Sequence, residues 1–154
     1  MPYLTDARPL YRRAFHEGWI VPAFNVCSAE MIFGVAKAAE ALRAPIVIQT
    51  YPADLALFPA PHVQALVRSV AESARVQVAL HLDHGVSEAM ARSCLAAGFG
   101  SVMLDGADDD LDRLVERMRA FAPEVHAAGA ALEVAADGFS GTFEEATEPE
   151  AAWR

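Results

Sequence analysis

Apolar positions along the chain follow two alternating rhythms. Short runs rich in Val, Ile and Leu recur near 20–25, 45–50, 77–83, 101–105 and 130–134, and Ala-rich stretches with helical spacing separate them at 29–42, 61–73, 87–97 and 111–128. This alternation predicts a βα repeat, with parallel strands in sequential neighbour order and helical crossovers between them. A leading helix over 6–17 is expected before the first strand. Boundary residues agree: Ser28, Ser87 and either Asp109 or Asp110 stand where helices should start, and Gly98 and Gly129 where two should close. No linker or low-complexity stretch interrupts the pattern, so residues 1–154 read as a single domain.

Near-continuous apolar strands mean a parallel sheet covered by helices, either an open doubly wound sheet or a (β/α)8 barrel. The polar residues decide between them. Asn25, Gln49, Thr50, Asp83, His84, Asp105 and Glu133 stand at or near the C-terminal ends of the predicted strands, where a barrel gathers its active-site groups. An open sheet would concentrate ligand groups at one switch point, and neither a GxGxxG turn nor a GxxxxGK[ST] loop is present. The expected fold is therefore α/β, a partial TIM barrel of about five parallel strands with outer helices. Such an arc leaves the strands near 20–25 and 130–134 as unpaired edges, so the chain is expected to self-associate, flatten or be poorly stable.

Composition narrows the partners. The chain is 54% hydrophobic, enough to fold around a core, and carries a formal net charge of −9, which argues against nucleic acid and anionic membranes. Cys27 and Cys94 lie outside any CxxC spacing, in apolar surroundings, and are expected to be buried reduced thiols of a cytoplasmic protein. The opening Met1-Pro2-Tyr3-Leu4-Thr5-Asp6 is not a basic region followed by an apolar stretch and no run approaches the ~18 apolar residues of a membrane span, so neither secretion nor a membrane is expected.

Candidate chemistry concentrates in Val78-Ala79-Leu80-His81-Leu82-Asp83-His84-Gly85, an apolar strand that ends in ionisable groups. If Leu80 and Leu82 face one side, alternation sends His81 and Asp83 to the other, with His84 just past the end. Imidazole beside carboxylate at a strand's lip suits a metal site or a proton-transfer site. On residue type alone other roles stay open: Asp83 as a helix cap, Asp105 as a turn residue before Gly106, and Asn25 and Gln49 as partners of backbone groups at the mouth.

Four segments bear a more specific pattern: Val21-Pro22-Ala23-Phe24-Asn25-Val26, Ala44-Pro45-Ile46-Val47-Ile48-Gln49, Ala79 to Gly85, and Gly98-Phe99-Gly100-Ser101-Val102-Met103-Leu104-Asp105-Gly106. In order and spacing the chain resembles the N-terminal part of the class II, zinc-dependent ketose-bisphosphate aldolases, from about Leu4 onward. The segment Thr147-Glu148-Pro149-Glu150-Ala151-Ala152 resembles the family's Thr-Asp-Pro-Glu-Glu-Ala. The resemblance implies cleavage of fructose 1,6-bisphosphate or tagatose 1,6-bisphosphate to dihydroxyacetone phosphate and glyceraldehyde 3-phosphate. A Zn2+ ion would act as Lewis acid on the enediolate that forms. It further implies Asp83 as the catalytic acid/base, His84 as a zinc ligand, Asp105 and Glu133 as carboxylates of the metal pocket, Asn25 and Gln49 as substrate-binding groups, and His81 as a group that orients its neighbours. The one lysine, Lys37, lies mid-helix and does not suggest a Schiff base.

The departures are as informative. Where the family has Glu-x-Glu-Leu-Gly, this chain has Glu133-Val134-Ala135-Ala136-Asp137, so Ala135 replaces the second carboxylate. The family's mobile-loop Gly-Gly-Glu-Asp stretch corresponds to Ser140-Gly141-Thr142-Phe143-Glu144-Glu145, leaving Glu144 or Glu145 as its glutamate, and Ala107 replaces a serine. A complete barrel takes about 200 residues or more, so five strands should leave the family's other zinc histidines and phosphate loops outside this chain. His16, His62 and His126 are poorly placed to replace them. Two expectations from different classes follow. One is a zinc-dependent aldolase, working as a homo-oligomer or with a complementing C-terminal half; the other is a non-catalytic fragment or binding protein that keeps the fold signature.

Overall fold

The structure, a computed structural model, describes residues 2–106 and 110–135. Its elements in chain order are β1 (Tyr3–Leu4), α1 (Arg8–Glu17), β2 (Ala23–Asn25), α2 (Ala29–Leu42), β3 (Ile46–Thr50), α3 (Pro52–Leu57), α4 (Ala60–Ser73), β4 (Val78–Gly85), α5 (Glu88–Ala97), β5 (Ser101–Asp105), α6 (Leu111–Ala127) and β6 (Ala131–Ala135). All pairings are parallel, and the path β2-β3-β4-β5-β6 follows chain order. The fold is α/β, a partial TIM barrel, as the alternation predicts.

Period-2 alternation divides each strand between two layers. Ile46, Ile48, Val78, Leu80, Leu82, Val102 and Leu104 face outward into the main core beneath the helices; fully burying a side chain of this size stabilises by about 1.5–3 kcal/mol. The intervening residues turn inward. Val47 and Ala79 pack there against Ala7, Leu4, Tyr11 and Val21, so α1 and the residues around it cover the inner face. Gly100, just before β5, lies tight against β1, since an added Cβ would stand 2.5 Å from the Leu4 carbonyl oxygen.

Helix starts match their sequence signals: the side chains of Ser28, Ser87 and Asp110 accept bonds from the backbone N–H groups of Met31, Met90 and Arg113. Gly98 closes α5 at φ 92, and Gly129 follows α6 at φ 78. Two elements were not foreseen. β1 is too short to show a period, yet it pairs with the start of β4, Tyr3 opposite Val78; α3 is one Pro-led turn and a half, tied down where the Asp54 carboxylate accepts the Tyr51 N–H at 3.4 Å.

Two expectations need correction. Cys27 is exposed rather than buried, because it lies between the end of β2 and α2; Cys94, inside the core, is buried, and burial pushes its thiol up to about 12. Thr50 faces away from the mouth, since alternation points Gln49 inward and Thr50 into the core, where its hydroxyl donates to the His81 carbonyl at 3.5 Å. Among the described residues, no helix is long and apolar enough to cross a membrane. Asp109, Ala107 and everything from Ala136 on, including Glu144, Glu145 and the Thr147–Ala152 segment, lie outside the described residues.

Candidate active site

The site is built in layers on the inner face. Asn25, Gln49, His81, Ser101 and Ala131 stand side by side across all five strands, and Met103 pairs with Glu133 in the next inward layer. Ala135 pairs with Asp105 at the top. Stacked inward layers of this kind fill a barrel's interior below its mouth.

Strict alternation would turn His84 outward among the helices. It does not turn outward, because β4 carries a bulge: β4 and β5 are in step at Leu82 and Val102, but the next pairing is Gly85 with Leu104, one extra residue on β4. His84 takes up the extra length in the left-handed region at φ 50, and among the described residues Arg43 is the sole other non-glycine with positive φ. Histidine enters this region more readily than most residues, at roughly 1–2 kcal/mol of strain. Gly85 makes the bulge possible, since a Cβ there would lie 2.6 Å from the Met103 carbonyl oxygen and 2.7 Å from Leu82 Cδ2.

Neighbouring side chains now meet in pairs. Asn25 Nδ2 donates to Asp83 Oδ2 at 2.7 Å, and His84 Nδ1 lies 3.3 Å from Asp105 Oδ2. Tyr51, directly after β3, sets its ring 5.7 Å from that of His84, centroid to centroid. Burial, reinforced by Asp83 and Asp105, holds the Tyr51 hydroxyl above its ordinary range. From α6, Arg117 Nη2 donates to the Asp105 carbonyl at 2.9 Å and anchors the end of β5.

Deeper in the site the imidazole of His81 is neutral. His81 is 2% exposed, and its Nδ1 shares a 2.8 Å hydrogen bond with Ser101 Oγ. Burial pushes this imidazole down to about 4, outweighing the pull of Asp83. Burial and the nearby Asp83 charge push Glu133 up. The 3.7 Å approach of His81 Nε2 to Glu133 Oε2 is therefore no ion pair near neutrality, because the imidazole is uncharged. Gln49, His81, Glu133 and Tyr11 line one inner cavity of about 310 Å³.

Of the sequence-derived site residues, Asn25, Asp83, His84 and Asp105 meet at the lip. Gln49 stands level with Asn25, in the layer of His81. Glu133 approaches His81 at 3.7 Å and also feels the charge of His84, and Ala135, beside Asp105, offers only a methyl group. Sequence reasoning missed Tyr51, Tyr11, Ser101 and Arg117; for Tyr51 the signal was its place one residue past a predicted strand end. Donor chemistry at the lip suits zinc in kind, the His84 imidazole with the Asp105 carboxylate beside it. It does not suffice in number, since among the described residues no three His, Cys, Asp or Glu side chains converge as a metal site.

Comparison with known proteins extends this picture. The family profile described as "Fructose-bisphosphate aldolase class-II" matches residues 5–153. A fructose-bisphosphate aldolase of Thermus caldophilus is 31% identical over 130 residues, covering 84% of this chain and 42% of the relative. The plasmid fructose-bisphosphate aldolase of Cupriavidus necator is 31% identical over 138 residues, covering 84% and 40%. The crystal structure of the YdjI aldolase from Escherichia coli K12 superposes with a TM-score of 0.78 at 26% identity, covering 86% of this chain and 50% of that one. The chain thus spans half or less of the length of these relatives.

Proposed function

Since the chain belongs to the class II fructose-bisphosphate aldolase family, we propose that it carries the proton-transfer part of a site that cleaves a phosphorylated ketose by retro-aldol reaction. The observation that carries this reading is Asp83 at the lip, its Oδ2 held by the Asn25 amide at 2.7 Å. That bond occupies one carboxylate oxygen and leaves the other to take a proton. In the cleavage direction Asp83 accepts the proton of the substrate hydroxyl, the C–O bond becomes a carbonyl, and the electron pair of the breaking C–C bond passes to the departing enediolate. Lys37, exposed on α2, is in no position to form a Schiff base. The proposed substrates are fructose 1,6-bisphosphate or tagatose 1,6-bisphosphate, and the proposed setting is cytoplasmic.

Zinc belongs to the proposal only with donors from outside the described residues, and no step is routed through it. His84 is the proposed imidazole ligand, with Asp105 beside it; Glu133 and Gln49 are proposed to meet metal and substrate from one layer below. Further donors would come from a complementing C-terminal half, joined or separate, or from a second copy.

The test is turnover of a ketose bisphosphate by the chain alone and mixed with a C-terminal half-barrel, with and without chelator. Expected are little activity alone and chelator-sensitive cleavage in the mixture. In that mixture Asp83→Ala should lower kcat about 100-fold or more with metal retained, and His84→Ala should lose metal. Ala135 favours a second reading, a binding protein that keeps the fold without the chemistry. Absence of turnover in every combination would support it, and strong turnover by the isolated chain would overturn the donor count.

A further inference from the structure

At the opposite end of the strands from the lip lies a cavity of about 680 Å³, whose lining includes Arg13, Arg43, Arg75, Gln77 and Glu40. We propose that this floor cavity is a binding site for a small polyphosphate anion, separate from the aldolase chemistry. Charge is the first argument. Three guanidinium groups face one carboxylate in a chain of net charge −9, and that carboxylate already accepts the Arg75 backbone N–H at 2.9 Å. Three other arginines are paired with acids: Arg8 with Asp6, Arg68 with Glu72, Arg92 with Glu88 and Glu124. Among the described residues, no hydrogen bond or ion pair engages the guanidinium of Arg43 or Arg75.

Preorganisation is the second argument. Arg13 stacks over the Trp19 ring at 5.3 Å and donates from Nη2 to Gln77 Oε1 at 3.3 Å, so its planar fork is held at the rim. Arg43 closes α2 in the left-handed region at φ 53. Glycine is the residue that fills such a turn without strain, as Gly18 and Gly98 do after α1 and α5. A cation after a helix C-terminus is favoured by the dipole, but that benefit does not require a strained backbone. The other strained non-glycine, His84, stands in the candidate active site, and retained strain is a mark of a side chain that is wanted. Arginine forks match phosphate oxygens two at a time, and the cavity lies within the roughly 300–1,000 Å³ of small-molecule sites.

Calorimetric titration of the chain with inorganic pyrophosphate, inorganic phosphate and sulfate tests this. Pyrophosphate should bind more tightly than either single anion, and Arg43→Gly and Arg75→Gln should each weaken it about tenfold. Arg43→Gly relieves the strained turn, so its melting temperature should equal or exceed the parent's, which separates lost binding from lost folding. His84→Ala should bind pyrophosphate as the parent does, so the fate of this site is independent of the aldolase reading. Undetectable binding at millimolar pyrophosphate, equal affinity for pyrophosphate and sulfate, or an Arg43→Gly/Arg75→Gln double variant that binds like the parent would each overturn it.

Discussion

The central strands and the edge strands are built from similar residues yet live in different environments. β3, β4 and β5 are paired on both sides and almost wholly buried, whereas β2 is exposed at all three positions and β6 is buried only at Ala135. Phe24 on β2 is 43% exposed, and Val134 on β6 is 37% exposed. The candidate site straddles this divide. Asp83, His84 and Asp105 stand on the fixed centre, while Asn25 and Glu133 reach in from the open edges. The carboxylates and imidazole of the lip therefore stand mostly on strands paired on both sides, whereas Asn25 and Glu133 belong to strands that, among the described residues, are paired on one side only.

The largest test of the central region is Leu80→Ala. Leu80 is 0% exposed in the main core, and its truncation removes transfer energy and leaves a cavity, for an expected loss of about 3 kcal/mol. Urea unfolding monitored by circular dichroism measures it. A loss below about 1 kcal/mol would mean the centre is as loosely packed as the edges.

Acid titration should give a loss of similar order by a different route. His81 is neutral and buried in the fold, with its pKa pushed from 6.5 to about 4. The unfolded chain binds this proton more readily, so the contribution is fully present above pH 6.5 and falls as pH drops towards 4. The loss is on the order of 3 kcal/mol for this group. His81→Gln should flatten the slope of stability against pH across that window, and an unchanged slope would place the imidazole in contact with water.

How far the sequence carried can be judged from single residues. Strand order and the inward direction of His81 and Asp83 were legible, because alternation over a long apolar strand leaves one solution. His84 was expected at the lip for an incomplete reason: the period alone would have turned it outward, and what turns it inward is a bulge that depends on the approach of Gly85 to Met103, a contact across strands that no local pattern displays. Glu133 pairs in register with Met103 and comes within 3.7 Å of His81 Nε2, a depth that strand stagger sets and the sequence, which shows only phase, does not display. β1 and α3 were too short for any period to emerge, and Tyr51, one residue past the end of β3, lies outside the alternation altogether. The exposure of Cys27 depends on the loop after β2 lying at an open edge.

The strain at His84 gives a smaller but more selective test. His84→Ala and His84→Gly both lose the contacts with Asp105 and Tyr51, so the difference between them isolates the backbone at φ 50. Glycine should be the more stable of the two by about 1 kcal/mol. Equal stability would mean the bulge relaxes once the imidazole is gone. Crystal structures of the two variants, compared for the pairing of Gly85 with Leu104, would show whether it had.

The smallest expected change in stability comes from the edges, where the effect of interest is association. Exposed strand edges offer unpaired backbone groups to another chain, and apolar side chains beside them strengthen the attraction. Among the described residues, Phe24 on β2 and Val134 on β6 have such positions. Phe24→Lys and Val134→Lys should each shift unfolding free energy by no more than about 0.5 kcal/mol, since little buried area is lost. Both should nevertheless lower the mass-average measured by sedimentation equilibrium at high protein concentration, because a lysine at an edge penalises strand-to-strand docking through charge and desolvation. The same substitutions should weaken binding of a complementing half-barrel, whose strands would need to pair at both edges at once. If the variants associate as the parent does while Leu80→Ala is strongly destabilised, the edges are already protected by their twist and the divide between centre and edge concerns packing alone. If association falls with stability unchanged, the open edges are the surfaces through which this chain finds its partner.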